Sequence, residues 1–371
     1  MLKYLIRKEF LHISRDRRLL PIIFIAPIIQ LIILGYAANF DVKDIPTVVY
    51  DLDKTPESRE YLSSYFSSGY FEKVAQLNDY KKIDSYLDTG KASACIVIPS
   101  GFGKNISEGE STSVQTIING TDSILGSSGL NYINNINSTY SANILEQRIA
   151  QIKNLKISIL DVEDRVWYNP ELKSRNYMIP AILSLILMIT TTMLTSMAIV
   201  REKEVGTIEQ LVVTPVKKHQ IILGKLIPFV VIGLADVVLI IAVGTLWFGV
   251  PLKGSILLLF FASLLFLLNT LGLGLLVSTL SQTQQQAMMT AMFFFMFPFI
   301  YLSGFVFPIE NMPKPVQYVT YAIPLRYFLV IVRGIFLKGV GIATLWPHMS
   351  ALAFIGVMIL IISTTRFRKS L

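Results

Sequence analysis

Six long apolar runs and one polar block set the pattern of this chain. The runs are Leu19–Ala38, Tyr177–Val200, Leu226–Phe248, Ser255–Leu280, Ala287–Phe307 and Leu345–Ser363. Each is close to the ~20 residues a helix needs to cross a bilayer, so six transmembrane helices are predicted. The first is too long for a signal-peptide core and lacks a clear cleavage site. It reads as an uncleaved anchor at 19–38, bent at Pro27. Ahead of it, residues 1–18 place Leu2, Leu5, Ile6, Phe10 and Ile13 on one helical face and six Lys/Arg on the others. That pattern predicts an interfacial amphipathic helix with its basic side toward anionic headgroups.

The polar block, 41–176, is about the size of one domain. IPTVVYD, FEKVAQL, ASACIVIP and VQTIING read as strands. TPESREYLSSYF reads as a helix, with Thr55 as N-cap and Pro56 at its first position, and DYKKIDSYLDTG as a helix closed by Gly90. Asp122 to Gln151 reads as one long helix. Strands alternating with helices imply a mixed α/β domain, and no catalytic constellation stands in it. The stretch 308–344 fits no clean span. It holds Pro308, Pro313, Pro315 and Pro324, while Leu325, Phe328, Leu329, Val332 and Phe336 form one apolar face. A helix-turn-helix that dips into the membrane and returns is predicted there; such backbone must pack on protein.

Charge supports this division. Only 16% of residues are charged, against about 25% in soluble chains. Residues 41–176 hold 18 of the 25 acids and 14 of the 33 bases, a balance of −4 that leaves +12 for the rest. The basic excess lies in short loops: six Lys/Arg at the N-terminus, five in 201–225, and Arg366, Arg368 and Lys369 in the tail 364–371. These segments fall on one side when six spans are threaded, so that side is predicted to be cytoplasmic and 41–176 to lie outside, at the plasma membrane. Nucleic acid is not needed to explain the charge. The single cysteine, Cys95, forbids an internal disulfide, and His12, His219 and His348 have no metal-ligand spacing.

The connection 201–225 is too long for a reverse turn. Glu204, Ile208, Leu211 and Val212 recur at helical spacing. Glutamates at the start would favour a helix dipole, and Pro215 would close the helix. Such an element either receives force from a soluble partner or rests on the lipid surface; the residues alone leave both open. Within the spans, Asp236 costs about 2.5–3.5 kcal/mol at mid-bilayer and must face a partner, a cavity or water. It is either a translocation-path residue or an interhelical tie. Asn269 reads first as a tie between helices, and Pro298, in FFFMFPF, as lipid-facing packing or the wall of an apolar path.

No G-x-x-x-x-G-K-[ST] occurs, so this chain carries no P-loop. The order of elements resembles the permease subunit of ABC-2 type exporters, in the branch with a large extracytoplasmic domain after the first span. The resemblance rests on KEFLHISRDRRLL, RVWYNPELKSRNYMIP, LWFGVPLKGS, TQQQAM, LSGFVFPIENMP, PLRYFLVIVRGIFLKG and, most specifically, REKEVGTIEQLVVTP. It implies an α-helical membrane protein of six transmembrane helices with an inserted mixed α/β extracytoplasmic domain. It implies that Arg201, Glu202, Glu204, Gly206, Thr207, Glu209, Gln210, Thr214 and Pro215 contact an ABC ATPase, present in two copies beside a second, like or unlike, permease chain. ATP and Mg would sit on that partner, leaving no cofactor, metal or enzymatic activity here. Export of a small hydrophobic or amphipathic, drug- or antibiotic-like molecule is the expected function. An ion or lipid/glycan-precursor exporter of the same architecture, or a ligand-sensing receptor, are the alternatives.

Overall fold

The computed structural model describes residues 2–16, 19–38, 42–151, 167–170, 173–206 and 218–366. The chain divides into two compact units, Phe40–Asp164 and the remainder. The sheet-bearing unit is thus shorter than the polar block 41–176.

The remainder is helical. It comprises α1 (Leu2–Arg15), α2 (Leu19–Ala37), α7 (Ser174–Glu204), α8 (Lys218–Leu246), α9 (Ile256–Leu280), α10 (Gln284–Leu302), α11 (Lys314–Thr320), α12 (Pro324–Lys338) and α13 (Ile342–Arg366). Six of these, α2, α7, α8, α9, α10 and α13, are long and apolar enough to span. Helix α7, of 31 residues, is about 46 Å long, so it outruns the hydrocarbon core and the expected end at Val200. Helix α10 stops at Leu302, short of Phe307. Gly304 follows at φ +84°, in the left-handed region that favours glycine. The α11–α12 pair is bent by 79°, the geometry of a broken span or of a re-entrant loop.

Small residues set the packing, as expected where lipid gives helices no hydrophobic reason to associate. Gly274 on α9 lets the α7 backbone approach so closely that a Cβ would stand 2.8 Å from Thr192 O. Thr191 Oγ1 and Thr270 Oγ1 meet at 2.7 Å across the same seam. On the other side of α9, Asn269 Nδ2 donates to Leu352 O at 3.0 Å, and Ser363 Oγ to Gly272 O at 2.8 Å. Phe266 and Phe328 stack with centroids 4.1 Å apart, joining α9 to α12.

The other unit contains β1 (Ile45–Asp51), α3 (Pro56–Phe66), β2 (Phe71–Gln76), α4 (Lys82–Asp88), β3 (Ala94–Ile98), α5 (Phe102–Glu108), β4 (Gln115–Ile118) and α6 (Ser123–Gln151). The sheet order is β2-β1-β3-β4, with β1 parallel to both neighbours and β4 antiparallel at the edge. Alternation along the strands sends Val49, Ile96 and Ile98 to a core with α3, α5 and α6, and Val48, Cys95 and Val97 to one with α4. Thr55 caps α3 by accepting from Ser58 N, with Pro56 at its first turn. Asp53 holds the entry to α5: Gly101 N and Gly103 N each donate to it at 2.8 Å. Burial acts to raise its carboxyl, but the Thr55 hydroxyl and these amides outweigh that and hold it below its ordinary value.

Candidate functional site

The last turn of α7 is a junction. Four consecutive side chains, Arg201 to Glu204, reach elements from four parts of the chain. Arg201 Nη1 pairs with Asp16 Oδ2 at 3.0 Å, just beyond α1. Glu202 accepts Lys8 Nζ of α1 at 2.8 Å on one oxygen and Lys225 Nζ of α8 at 2.5 Å on the other. Lys203 donates to the carbonyls of Ser278 and Ser281 at the end of α9. Glu204 receives Gln284 N at 2.8 Å and Gln284 Nε2 at 2.6 Å, at the start of α10. Successive helical side chains point about 100° apart, so one turn contacts its whole surroundings.

The central pair is deeply placed. Side-chain exposure is 6% for Lys225, 11% for Glu202 and 7% for Glu9, which lies 3.5 Å from both Lys225 and Lys8. Two acids and two lysines therefore neutralise one another, with Lys8 half-exposed at the edge and the other three nearly dry. Burial lowers the affinity of the Lys8 ammonium for its proton. Glu202 and Glu9 more than offset this, and its pKa is raised. Apolar contact completes the attachment of α1: Leu5 abuts Gly224, where a Cβ would stand 2.9 Å from Leu5 Cβ.

One expectation needs correction. Glu204 does not open a coupling helix. It closes α7, and Gly206 stops the helix at φ +74°, its N–H returning to Lys203 O. The glutamates thus stand at the end where the helix dipole disfavours acids; Lys8, Lys225 and Gln284 compensate. Of the predicted interface, Arg201, Glu202, Glu204 and Gly206 are described. Thr207, Glu209, Gln210, Thr214 and Pro215 lie outside the described residues. Lys8, Glu9, Asp16, Lys225 and Gln284 were not singled out by the sequence, since no spacing links them to Arg201–Glu204.

Beside the junction, a cavity of about 340 Å³ opens between α1, α2, α7, α8 and α10. Ile22, Ala26, Met193, Met197, Phe229 and Met288 give it apolar walls, and Glu9, Asp16, Arg201 and Glu202 a charged rim beside His12. Two polar groups stand deeper. Gln30 Oε1 is buried without a partner among the described residues. Thr190 lines the cavity and sits 3.5 Å from Asp236 Oδ2, with Asp236 wholly buried and its Oδ1 without a partner among the described residues. Asp236 is thus behind the wall, reached through Thr190. Asn269 serves the α9–α13 seam, and Pro298 is half-buried in α10; neither lines the cavity.

Residues 17–365 match the family model described as ABC-2 family transporter protein. The chain belongs to that family. Among its relatives, the probable multidrug ABC transporter permease YbhR of Escherichia coli K12 is 31% identical over 342 residues, 92% of this chain and 91% of the relative. The probable multidrug ABC transporter permease YbhS of the same strain is 32% identical over 356 residues, 94% and 93% of the two chains. The inner membrane transport permease YhhJ is 27% identical over 332 residues, 88% and 86%. The ABC-2 membership accounts for the six span-length helices with an inserted α/β unit: this is the multi-pass membrane subunit of an ABC transporter.

Proposed function

We propose that this ABC-2 permease exports small amphipathic, drug-like molecules across the plasma membrane, driven by ATP hydrolysed on two copies of a separate ABC ATPase. The observation that carries the reading is the junction at Arg201–Glu204, which joins α1, α8, α9 and α10 directly ahead of the segment 207–217. A partner pushing on Val205, Gly206 and that segment would move the end of α7 and, through it, four neighbours together. Arg201, Glu202 and Glu204 then act as the lever behind the contact surface; Val205, two-thirds exposed, belongs to the surface itself. The adjoining cavity, with apolar walls and a charged rim, suits an amphipath entering from the same end. Thr190 and, behind it, Asp236 offer a cationic group a partner part-way along. The multidrug names of YbhR and YbhS point to the same substrate class. A second permease chain completes the path in this reading, with both termini cytoplasmic and the α/β unit outside, as the loop charges favour.

The test is co-purification with the ABC ATPase, followed by ATP hydrolysis in reconstituted vesicles with and without amphipathic cations. Val205→Asp should lower ATPase association while α1 stays docked and protein yield is kept. Full association and stimulated hydrolysis in Val205→Asp would remove this surface from the interface.

A further inference from the structure

The α/β unit contains a cleft that transport through the helices leaves unused. Around Tyr65, Phe71 and Ile96 the core between sheet and helices is closed. Beside Tyr61 it is not: a space of about 320 Å³ stays open between α3, α5, α6 and the strand leading into β4. Its size is that of a small-molecule site.

The walls are aromatic. Tyr61 meets Tyr140 edge-on at 5.0 Å and Phe102 at 5.5 Å, so the rings brace one another. The polar floor is Asn137. Tyr61 and Tyr65 both donate to Asn137 Oδ1 at 2.6 Å, and their own hydroxyls lie 3.0 Å apart. A carbonyl oxygen accepts two such bonds and each phenol has one proton, so in this arrangement Nδ2 is turned away from the phenols. The two Nδ2 hydrogens of Asn137 have no partner among the described residues. At the mouth stand Arg148 and Glu110, both lining the cleft. Arg148 is anchored by Nη2 to Ile106 O, and neither charge has an ion-pair partner among the described residues. Opposite charges that share a mouth without pairing are each available to a ligand.

We propose that this cleft binds a small zwitterionic molecule with an aromatic body. The ring lies against Tyr61 and Tyr140, the carboxylate takes Arg148 and the Asn137 amide, and the ammonium takes Glu110. The proposal stands apart from the export reading, because every group it uses belongs to the α/β unit.

Saturation-transfer NMR on the full chain in lipid nanodiscs tests it, with empty discs subtracted. The probes are L-phenylalanine, 3-phenylpropionate and 2-phenylethylamine, which carry both charges, only the negative or only the positive. Phenylalanine is expected to bind tightest. Arg148→Gln should weaken phenylalanine and phenylpropionate about tenfold, the loss expected for one charge-assisted hydrogen bond, and leave phenylethylamine unchanged. Glu110→Gln should weaken phenylalanine and phenylethylamine and leave phenylpropionate. Glu110 is exposed and Arg148 half-buried, and circular dichroism of each variant beside wild type checks that the unit keeps its fold. No saturable signal from any probe, or signals unchanged in both variants, would overturn the proposal, and a response to only one variant would overturn the zwitterionic class.

Discussion

Replacing Glu202 by glutamine should release α1. The change keeps shape and removes one charge from the cluster of Lys8, Glu9, Glu202 and Lys225. Lys225, with 6% of its side chain exposed, would then retain only Glu9 at 3.5 Å in place of a 2.5 Å partner. Breaking a buried pair by deleting one member costs about 3–5 kcal/mol, because the survivor is left uncompensated. Glu9 still offsets part of that, so the lower end, about 3 kcal/mol, is expected. This corresponds to an increase of about a hundredfold in the undocked population of α1. Limited trypsin digestion in detergent reads that population, since Lys3, Arg7, Lys8 and Arg15 are cleavage sites on α1. When opening is fast, cleavage follows the open fraction. N-terminal cleavage should therefore accelerate about a hundredfold in Glu202→Gln and return most of the way in Glu202→Gln with Lys225→Met, where no buried charge lacks a partner. A single variant cut within threefold of the wild-type rate would refute the assignment of this cluster as the attachment of α1.

Three further outcomes are expected. Gly206→Ala should lower stability by about 1 kcal/mol for a left-handed residue, whereas Gly206→Pro, whose ring fixes φ near −65° against +74° here, should abolish ATPase association. Normal association in the proline variant would show that this helix end is not used. Asp53 has a depressed pKa, so its contribution to the α/β unit is present above the ordinary aspartate value and lost as pH falls through its folded value. Asp53→Asn should thus unfold at a lower temperature at neutral pH, with the gap to wild type closing in acid; a gap independent of pH would contradict this. Asp236→Asn should reduce transport of cationic substrates with assembly intact. A silent Asn variant beside a poorly folding Asp236→Leu variant would make Asp236 a structural tie only.

The spans were legible because a bilayer tolerates little but apolar side chains over twenty positions. Their ends were not. Hydropathy falls at Val200, but the backbone bonds of α7 continue to Glu204, since each charged side chain finds a partner. A scan along the chain sees four charges and assigns them to water. Glu202 is instead buried, and the reason lies at Lys8 and Lys225, distant positions that no periodicity connects to it. The strands of the α/β unit were readable from β-branched runs such as Ile45–Asp51 and Ala94–Ile98. The antiparallel placement of Gln115–Ile118 at the sheet edge was not, because its residues alternate weakly. Asp236 announced itself by cost alone, whereas its neighbour Thr190 is an ordinary residue until the packing of α7 against α8 brings the two to 3.5 Å.

The attachment of α1 also bears on how the protein is made. Lys8 and Glu202 are separated by 194 positions. At about 5–20 residues per second of synthesis, α1 waits on the order of 10–40 s for its partner, and slightly longer for Lys225. During that interval its lysines and arginines have only headgroups to meet. Docking becomes available once α7 and α8 have both inserted with their charged ends on the side where α1 waits. A chain threaded in the wrong sense cannot bury Lys8 and Glu9, and it keeps a trypsin-sensitive, basic N-terminus. The docking of α1, made ahead of both, thereby records whether α7 and α8 entered in the same sense.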